Sequence, residues 1–277
     1  MNRIDRRFSE LHSAGRTGLI PFVTAGDPSP DATVAVMHAL VAAGADLIEL
    51  GVPFSDPMAD GPVIQHSSER ALLRGVGLAQ VLEFVAEFRS SDANTPVVLM
   101  GYLNPIEIHG YARFASEAVA AGVDGVLLVD CPLEESATIQ AIADAGLRRI
   151  FLAAPTTSDA RMQRVCAAAS GFLYYVSFSG VTGANRLDLE PVRARVLAIK
   201  RQTTVPVAVG FGVRDAASAT AIAEFADAIV IGSALVEHLV NSAGPGVVRP
   251  DAVARSAREF LAPIRHALDA RSTPHAA

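Results

Sequence analysis

A short pattern recurs along the chain: an apolar helical stretch ends, a tight turn follows, and a β-rich apolar run begins. It occurs at residues 42–48, 120–127, 144–150 and 224–230. Three of the four turns contain a glycine (Gly44, Gly122 and Gly146), which most easily adopts the left-handed conformation that ends a helix, whereas the fourth uses Ala226. Apolar strands that alternate with helices predict a parallel sheet covered by helices.

Extended to the whole chain, this pattern predicts eight strands separated by helices. The strands fall at residues 19–23, 46–50, 96–101, 125–129, 149–153, 172–176, 206–209 and 227–231, and the helices include 31–43, 79–89, 111–121, 134–145, 160–168, 189–201 and 215–224. Eight such units in about 250 residues predict an α/β fold that closes into a single-domain (β/α)8 TIM barrel. The alternative is a doubly wound open sheet, which more often carries G-x-G-x-x-G after its first strand, and no such motif follows Val23.

A single domain accounts for the whole chain. Residues 2–14 predict an extra N-terminal helix across the bottom of the barrel, and residues 1–270 together predict one TIM-barrel catalytic domain. Residues 271–277 are expected to form a disordered C-terminal tail. No linker, low-complexity tract or charge block divides the sequence.

Composition excludes several classes of protein. Hydrophobic residues make up 51% of the chain and charged residues 19%, which excludes disorder, and the net charge of -6 argues against a nucleic-acid partner. No apolar run reaches the roughly 18 residues that a membrane span needs. Two cysteines, Cys131 and Cys166, provide neither a disulfide framework nor a zinc site, so we expect a cytoplasmic protein.

Glu49 lies near the end of the second predicted strand, where catalytic groups of a TIM barrel are found. By the two-residue period of a strand, Leu47 and Glu49 share one face while Ile48 and Leu50 share the other. If Ile48 and Leu50 pack under helices, Glu49 points into the barrel mouth, and desolvation there would raise its pKa enough for general-acid chemistry. The alternative is a strand-end glutamate paired with an arginine.

The segment after that strand, residues 51–62, is long for a connection between strand and helix and contains several prolines and glycines. Loops of this length in a compact domain are often functional, and this one carries Asp56 and Asp60. Asp60 is therefore a second candidate for acid–base chemistry. Alternatively, it only caps the helix that Pro62 begins.

Glycines cluster after the last three predicted strands. They occur in residues 180–183, 210–212 and 232–233. Each glycine on its own has an ordinary explanation as a turn residue. Together, in the loops where TIM barrels commonly bind phosphate, they predict a phosphate site, with Ser233 facing the phosphate and capping the last helix.

Two common catalytic devices are missing. The only lysine, Lys200, is predicted near the end of the helix before the seventh strand, at the face opposite the strand carboxyl ends, so no lysine Schiff base is expected. None of the seven histidines lies on a predicted strand and no two have metal-ligand spacing, so we expect no metal site. His66 is the only one within reach of the loop after the second strand, and we expect it at the surface.

Several strings at the strand ends resemble the α subunit family of tryptophan synthase. They are residues 21–28 (PFVTAGDP), 48–57 (IELGVPFSDP), 59–65 (ADGPVIQ), 100–105 (MGYLNP), 154–157 (APTT) and 180–183 (GVTG). The resemblance extends from about Phe8 to Phe260 and touches nearly every strand end.

The resemblance implies a lyase of tryptophan biosynthesis. Its reaction is the retro-aldol cleavage of indole-3-glycerol phosphate to indole and glyceraldehyde 3-phosphate, with no cofactor in this subunit. It also implies a partner, the pyridoxal-phosphate-dependent β subunit, which receives indole directly within an α-β-β-α assembly.

The resemblance also implies roles for individual residues. Glu49 protonates C3 of the indole, and Asp60 holds or deprotonates the ring N–H. The candidates for the indole slot are Phe22, Leu99, Leu127 and Phe211, which could alternatively be plain core. Tyr175 is expected to form a hydrogen bond with Glu49, the alternative being a core tyrosine with a satisfied hydroxyl. The phosphate is expected to bind to Gly183, Gly212, Gly232 and Ser233. The segment from Thr182 to Arg186 is expected to form a lid that closes over the substrate. The partner subunit is expected to contact Pro53, Phe54, Asp56, Asn104 and Asp130.

The chain departs from the family pattern at two places. Phe178 and Ser179 stand where Arg-Thr or a similar pair is common, and Val129 and Cys131 flank Asp130 where Pro and Leu are usual. These departures bear on communication between subunits, whereas we expect cleavage to survive.

Two alternatives to an α subunit that transfers indole stay open. One is a stand-alone lyase that releases indole, and the other is a catalytically silent barrel that only activates a β subunit, which loss of Glu49 or Asp60 would favour, although both are present. Another phosphate-binding barrel, such as a sugar-phosphate isomerase, would need a base after strand six or a histidine near the mouth, and the sequence has neither in recognisable form.

Overall fold

The computed structural model describes residues 1–176, 189–210, 212–244 and 246–272. Within them, parallel strands form a closed barrel in chain order, which confirms the predicted TIM barrel. The strands are β1 (Gly18–Thr24), β2 (Ile48–Gly51), β3 (Val97–Gly101), β4 (Gly125–Leu128), β5 (Arg148–Ala153), β6 (Leu173–Val176), β7 (Val207–Gly210) and β8 (Ala228–Ile231). The ends of every strand lie within two residues of those predicted from the apolar pattern.

Helices surround the barrel and connect its strands. Those in the described residues are α1 (Arg3–Ser13), α2 (Thr33–Ala42), α3 (Pro62–Leu73), α4 (Leu78–Arg89), α5 (Leu103–His109), α6 (Tyr111–Ala121), α7 (Gln140–Asp144), α8 (Asp159–Ala168), α9 (Leu189–Lys200), α10 (Ala216–Ile222), α11 (Ser233–Ala243) and α12 (Pro250–Ser272). Short 3-10 turns occupy Pro30–Ala32 and Leu133–Glu135.

The helix predicted at residues 134–145 is wrong over its first half. A 3-10 turn at Leu133–Glu135 is followed by further tight turns, and the α-helix begins only at Gln140. The amides of Ser136, Thr138 and Gln140 donate to carbonyls three residues earlier rather than four. Ser and Thr favour such local alternatives to the α-helix, so the apolar spacing alone overestimated the helix.

Alternate residues of each strand face two different apolar layers. Ile48 and Leu50 of β2 lie in the layer between the strands and the helices, whereas Leu47 lies in the barrel interior. The interior layer also contains Ile20, Val98, Leu127, Ile150, Phe172, Ala208 and Val230. The direction of a side chain on a strand therefore follows from the parity of its position.

Helix α1 closes the bottom of the barrel, as predicted. Its N-cap is Asn2, whose side chain accepts a hydrogen bond from the Ile4 amide at 2.9 Å. Ile4, Phe8 and Leu11 are buried in the interior layer, and the Phe8 ring lies 5.7 Å from the Phe172 ring. These apolar contacts seal the N-terminal end of the strands, so the open mouth is at their carboxyl ends.

The recurring turn before each strand has a structural role. In three of the four repeats an aspartate carboxylate accepts a hydrogen bond from the backbone of the neighbouring strand. The pairs are Asp46 with the Leu19 amide at 2.8 Å, Asp124 with the Val97 amide at 2.9 Å, and Asp227 with the Val207 amide at 2.8 Å. A cation neutralises each carboxylate: Arg265, Arg89 and Lys200, respectively. In the remaining repeat, residues 144–150, Arg148 stands where the other three have aspartate, and it pairs with Asp5.

The C-terminal helix α12 extends two residues into the segment expected to form a tail. Arg271 and Ser272 belong to α12 rather than to the expected tail. The guanidinium of Arg271 lies 3.8 Å from Glu224, which helps to hold the last turn. Residues 273–277 lie outside the described part of the chain.

Candidate active site

Glu49 points into the barrel, as its strand position predicted. It pairs in register with Phe22 of β1 and Val98 of β3, and only 1% of it is exposed. Neither carboxylate oxygen has a hydrogen-bond partner in the described part of the chain, so the alternative of a glutamate paired with an arginine does not hold there. Burial, and to a smaller extent the nearby charge of Asp60, raises the pKa of Glu49 to about 8. The group is therefore mostly protonated at neutral pH.

Asp60 lies in the loop between β2 and α3. Gly61, not Asp60, is the N-cap of α3, and no side chain caps that helix, so the capping alternative is wrong. The Tyr102 hydroxyl donates a hydrogen bond to Asp60 Oδ2 at 2.9 Å. Burial raises the pKa of Asp60, and the Tyr102 hydrogen bond opposes that rise by stabilising the carboxylate. Among the described residues, the Glu49 carboxyl group thus accepts no hydrogen bond, whereas the Asp60 carboxylate accepts one from the Tyr102 hydroxyl.

Tyr174, not Tyr175, faces the two carboxyl groups. Tyr174 packs against the interior layer, and burial together with the charges of Glu49 and Asp60 raises the pKa of its hydroxyl. Tyr175 packs in the outer layer under the helices, where burial raises the pKa of its hydroxyl and the charge of Arg195 opposes that rise. The expected contact of Tyr175 with Glu49 is therefore wrong, because a shift of one residue along a strand reverses the side-chain direction.

The same parity corrects the expected apolar wall of the site. Leu99 lies in the outer layer, whereas Met100 packs against the interior layer beside Leu127. Phe22 is 3% exposed, and its ring lies so close to Gly51 that a Cβ there would come within 2.7 Å of it. By this parity Phe22, Met100 and Leu127 face inward on the first, third and fourth strands, toward the carboxyl ends of these strands, with Ile20 and Val98 deeper in the interior layer.

The expected phosphate residues are described only in part. Gly212 has φ +60, a left-handed conformation that favours glycine. Gly232 is the N-cap of α11 and Ser233 is its first residue, so Ser233 does not cap that helix, and α12 rather than α11 is the last helix. Thr182, Gly183 and Phe211 lie outside the described residues, as do Phe178 and Ser179.

The residues expected at the partner face lie after three adjacent strands, β2, β3 and β4. Asp56, Asn104 and Asp130 are exposed, Phe54 is half-buried and Pro53 is buried. Phe54 stacks on Tyr102 with 4.9 Å between ring centroids, and Asp130 Oδ1 accepts a hydrogen bond from the Leu103 amide at 2.8 Å. The fold brings these residues to one sector of the rim, next to Asp60.

Lys200 is far from this site. Its ammonium lies 2.6 Å from Asp227 Oδ1 at the N-terminal face of the barrel, as predicted. It lines a cavity of about 660 Å³ there, together with residues of α1 and the turns before β7 and β8, and neither Glu49 nor Asp60 reaches that cavity. Among the residues that the structure describes, no three His, Cys, Asp or Glu side chains converge as metal ligands, and His66 is exposed beside Glu69.

Two site residues escaped the sequence analysis: Tyr102 and Tyr174. Both follow the rule used for Glu49, since each lies at the end of a strand. Tyr174 is on the inward face by parity with Phe172, and this signal was present in the sequence. No local pattern predicts the contact of Tyr102 with Asp60, because the two residues come from different loops.

Comparison with known proteins agrees with this geometry. The family profile described as "Tryptophan synthase alpha chain" matches residues 8–260. The tryptophan synthase alpha chain of Xylella fastidiosa (strain 9a5c) is 64% identical, covering 98% of this chain and 99% of that protein. This chain belongs to the tryptophan synthase alpha chain family.

Solved structures of tryptophan synthase alpha chains have the same fold. The subunit alpha of Legionella pneumophila str. Paris is 44% identical, with a TM-score of 0.90 over 98% of this chain and 99% of that one. A chain from the tryptophan synthase α2β2 complex of the hyperthermophile Pyrococcus furiosus is 37% identical, with a TM-score of 0.82 over 90% and 98%. No helix in the described residues is both long and apolar enough to cross a membrane.

Proposed function

We propose that this chain is the α subunit of a tryptophan synthase and cleaves indole-3-glycerol phosphate to indole and glyceraldehyde 3-phosphate. Membership of the family supports the reaction. The observation that carries the chemistry is Glu49: a buried carboxyl group at the strand end, without a partner among the described residues and with a pKa of about 8. Such a group is a general acid at neutral pH.

The reaction begins with protonation of the indole ring. Glu49 donates its proton to C3, which gives a cationic indoleninium. The bond from C3 to the first glycerol carbon then breaks, and its electron pair returns to the ring and neutralises the cation. The hydroxyl on that carbon loses its proton to the Glu49 carboxylate and becomes the aldehyde, so that Glu49 is protonated again.

Asp60 stabilises the charge that develops on the ring. Its carboxylate accepts a hydrogen bond from the indole N–H, which becomes more acidic as C3 is protonated. This role requires an ionised carboxylate, and the hydrogen bond from Tyr102 favours that form. Phe22, Met100 and Leu127 provide apolar walls for the indole, which excludes water from the reacting atoms.

The phosphate is expected at the opposite side of the mouth. Gly212 and the first turn of α11, with Gly232 and Ser233, follow β7 and β8, and TIM barrels bind phosphate in these loops. The amides at the N-terminus of α11 point toward an anion there, and the helix dipole favours its charge. Thr182 and Gly183 lie outside the described residues, and we propose that they complete this site.

Indole is proposed to pass directly to a β subunit in an α-β-β-α assembly. The known α2β2 complex of a relative supports this partner, as does the cluster of Phe54, Asp56, Asn104 and Asp130 on the rim beside Asp60. We further propose that this subunit uses no cofactor, and that pyridoxal phosphate belongs to the β subunit. The two unpaired cysteines support a reducing compartment, the cytoplasm.

The decisive experiment measures release of glyceraldehyde 3-phosphate from indole-3-glycerol phosphate, with and without a β subunit. We expect measurable cleavage by the isolated chain, with release of indole, and a higher rate without free indole in the complex when the β subunit is supplied with the second substrate that reacts with indole. Free indole from the complex would favour a stand-alone lyase. No cleavage under either condition, with normal activation of the β subunit, would favour a silent barrel.

A further inference from the structure

Tyr102 occupies a position between the proposed active site and the rim. It follows β3, is 4% exposed, and reaches the loop between β2 and α3 with its hydroxyl. The Ala59 amide donates to that hydroxyl at 3.0 Å, and the hydroxyl donates to Asp60 Oδ2 at 2.9 Å. An ionised carboxylate can only accept, so the hydroxyl hydrogen must point at Asp60. Tyr102 is thus a donor of fixed direction.

The rest of Tyr102 is held as firmly as its hydroxyl. Its ring stacks on Phe54, with centroids 4.9 Å apart and an angle of 29° between the planes. The next residue, Leu103, donates its amide hydrogen to Asp130 Oδ1 at 2.8 Å. Contacts from the loops after β2 and β4 therefore set the position of the hydroxyl.

Only one oxygen of Asp60 is used in this arrangement. Oδ2 accepts from Tyr102, whereas Oδ1 accepts no hydrogen bond from any described residue. The backbone is held independently, because the Asp60 amide donates to the Pro57 carbonyl at 3.0 Å and Gln65 Nε2 donates to the Asp60 carbonyl at 2.8 Å. Among the described residues, Tyr102 alone donates a hydrogen bond to the carboxylate, and none of them occupies Oδ1, which is the oxygen left for a substrate donor.

We propose that Tyr102 is a positioning residue for Asp60: it aims the free carboxylate oxygen at the indole N–H and keeps the carboxylate ionised. This inference rests on the proposed function. It assigns Tyr102 no contact with the reacting atoms, and its effect on the reaction passes through Asp60.

The charged surroundings of Asp60 make this hydrogen bond important. The titratable groups that face it are Glu49 from β2, Tyr174 from β6 and Tyr102 itself, with Asp130 beyond Tyr102. None of them is a cation, and Asp60 forms no ion pair with the described residues. Burial raises the pKa of Tyr102 as well, so its hydroxyl stays protonated and remains a donor.

The test is the Tyr102→Phe variant, which keeps the ring that stacks on Phe54 and removes the donor. Tyr111→Phe is the matched control, because the Tyr111 hydroxyl is buried without a hydrogen-bond partner among the described residues. Binding of indole-propanol phosphate, a non-cleavable analogue, is measured against pH for both variants and the wild-type subunit. Titration of the analogue's own phosphate is common to all three and cancels in the comparison.

We expect the loss of affinity at low pH to occur at higher pH in Tyr102→Phe than in the other two proteins. We also expect kcat/KM to fall by at least about tenfold near pH 7, mainly through kcat, because a hydrogen bond to a charged group is lost. The decrease of kcat/KM at high pH, which the deprotonation of Glu49 causes, should occur at the same pH in all three proteins. A folded Tyr102→Phe variant that loses affinity for the analogue at the same low pH as wild type would overturn the inference.

A second variant keeps the test valid if Tyr102→Phe does not fold. Phe54→Leu removes the aromatic ring that stacks on Tyr102 and leaves the Tyr102 hydroxyl in place. The loss of analogue affinity at low pH should therefore shift to higher pH by less than in Tyr102→Phe. An unshifted loss of affinity would count against the inference. Failure of the proposed function looks different. In that case the wild-type subunit itself would neither cleave indole-3-glycerol phosphate nor bind the analogue.

Discussion

Glu49 is the residue on which the proposed chemistry depends most. The Glu49→Gln variant keeps the shape of the side chain but cannot donate a proton to C3. We expect its turnover of indole-3-glycerol phosphate to fall below about a tenth of wild type, with binding of indole-propanol phosphate retained, since general acid–base groups commonly contribute about 10²–10⁴-fold. Retained turnover would remove Glu49 from the mechanism.

The raised pKa of Glu49 also makes stability depend on pH. Its pKa rises from 4.5 to about 8 on folding, so between these values the folded protein binds more protons at this site than the unfolded chain. The free energy of unfolding should therefore decrease as pH rises from about 5 to 8, by about 1.4 kcal/mol for each unit of pKa shift.

The measurement is Tm as a function of pH for wild type and Glu49→Gln. The variant carries no titrating group at this position, so its Tm should be higher than that of wild type at pH 8, and the difference should shrink toward pH 5. Parallel Tm curves for the two proteins would contradict the raised pKa.

Tyr174 and Tyr175 form a matched pair, because they are adjacent in sequence and face opposite layers of the barrel. We expect Tyr174→Phe to reduce kcat/KM by about tenfold, since its hydroxyl lies among the groups that surround Glu49 and Asp60. Tyr175→Phe should leave kcat/KM within about twofold of wild type. The measurement is the steady-state kcat/KM of both variants. A larger loss in Tyr175→Phe than in Tyr174→Phe would mean that the inward and outward faces of β6 are assigned incorrectly.

The aspartates of the recurring turn stabilise pairs of strands at their N-terminal ends, because each carboxylate accepts a hydrogen bond from a backbone amide of the neighbouring strand. Asp124 is 3% exposed, accepts from the Val97 amide, and pairs with Arg89 at 2.8 Å and Arg3 at 2.9 Å. We expect Asp124→Ala to lower the free energy of unfolding by about 3–5 kcal/mol, because it leaves Arg89 largely buried without its partner. Urea unfolding is the measurement.

The matched control for this variant is Arg193→Ala. It breaks the pair with Glu224, whose two side chains are 42% and 50% exposed, and exposed pairs contribute about 0–1 kcal/mol. Equal effects of the two substitutions would show that the buried carboxylate does not fasten β3 to β4.

The whole molecule presents one sector of its rim to the proposed β subunit. Asn104 is exposed at the start of α5 in this sector. We expect Asn104→Ala to weaken β-subunit binding by about threefold to tenfold, a modest effect typical of most interface residues, and to leave cleavage by the isolated subunit unchanged. Titration calorimetry with the β subunit measures the affinity.

Asn241→Ala is the control for this surface. Asn241 is equally exposed but lies near the end of α11, toward the opposite face of the barrel. Its replacement should not alter β-subunit binding. If the two variants bind the β subunit equally well, Asn104 does not belong to the interface.

The barrel was predictable because its signals are local and repeated. Each strand is a short apolar run behind a helix stop, and eight such units close only one common architecture. The inward direction of Glu49 was predictable on the condition that Ile48 and Leu50 on either side of it pack under helices, which they do. Residue order alone carries this information, because strand parity and helix termination depend on neighbours in the chain.

Contacts between loops were not predictable in this way. Asp60 had two interpretations until the fold placed it against the Tyr102 hydroxyl, and the spacing of the recurring turn did not predict the hydrogen bonds that its aspartates accept from neighbouring strands. Tyr175 was chosen over Tyr174 through an error of one position, which local propensity does not penalise. Spacing and apolarity in the chain thus specify the barrel and the place of its acid. The protonation state of Glu49 and the identity of the side chains around it depend on the tertiary structure, because desolvation and hydrogen bonding arise only when distant strand ends meet.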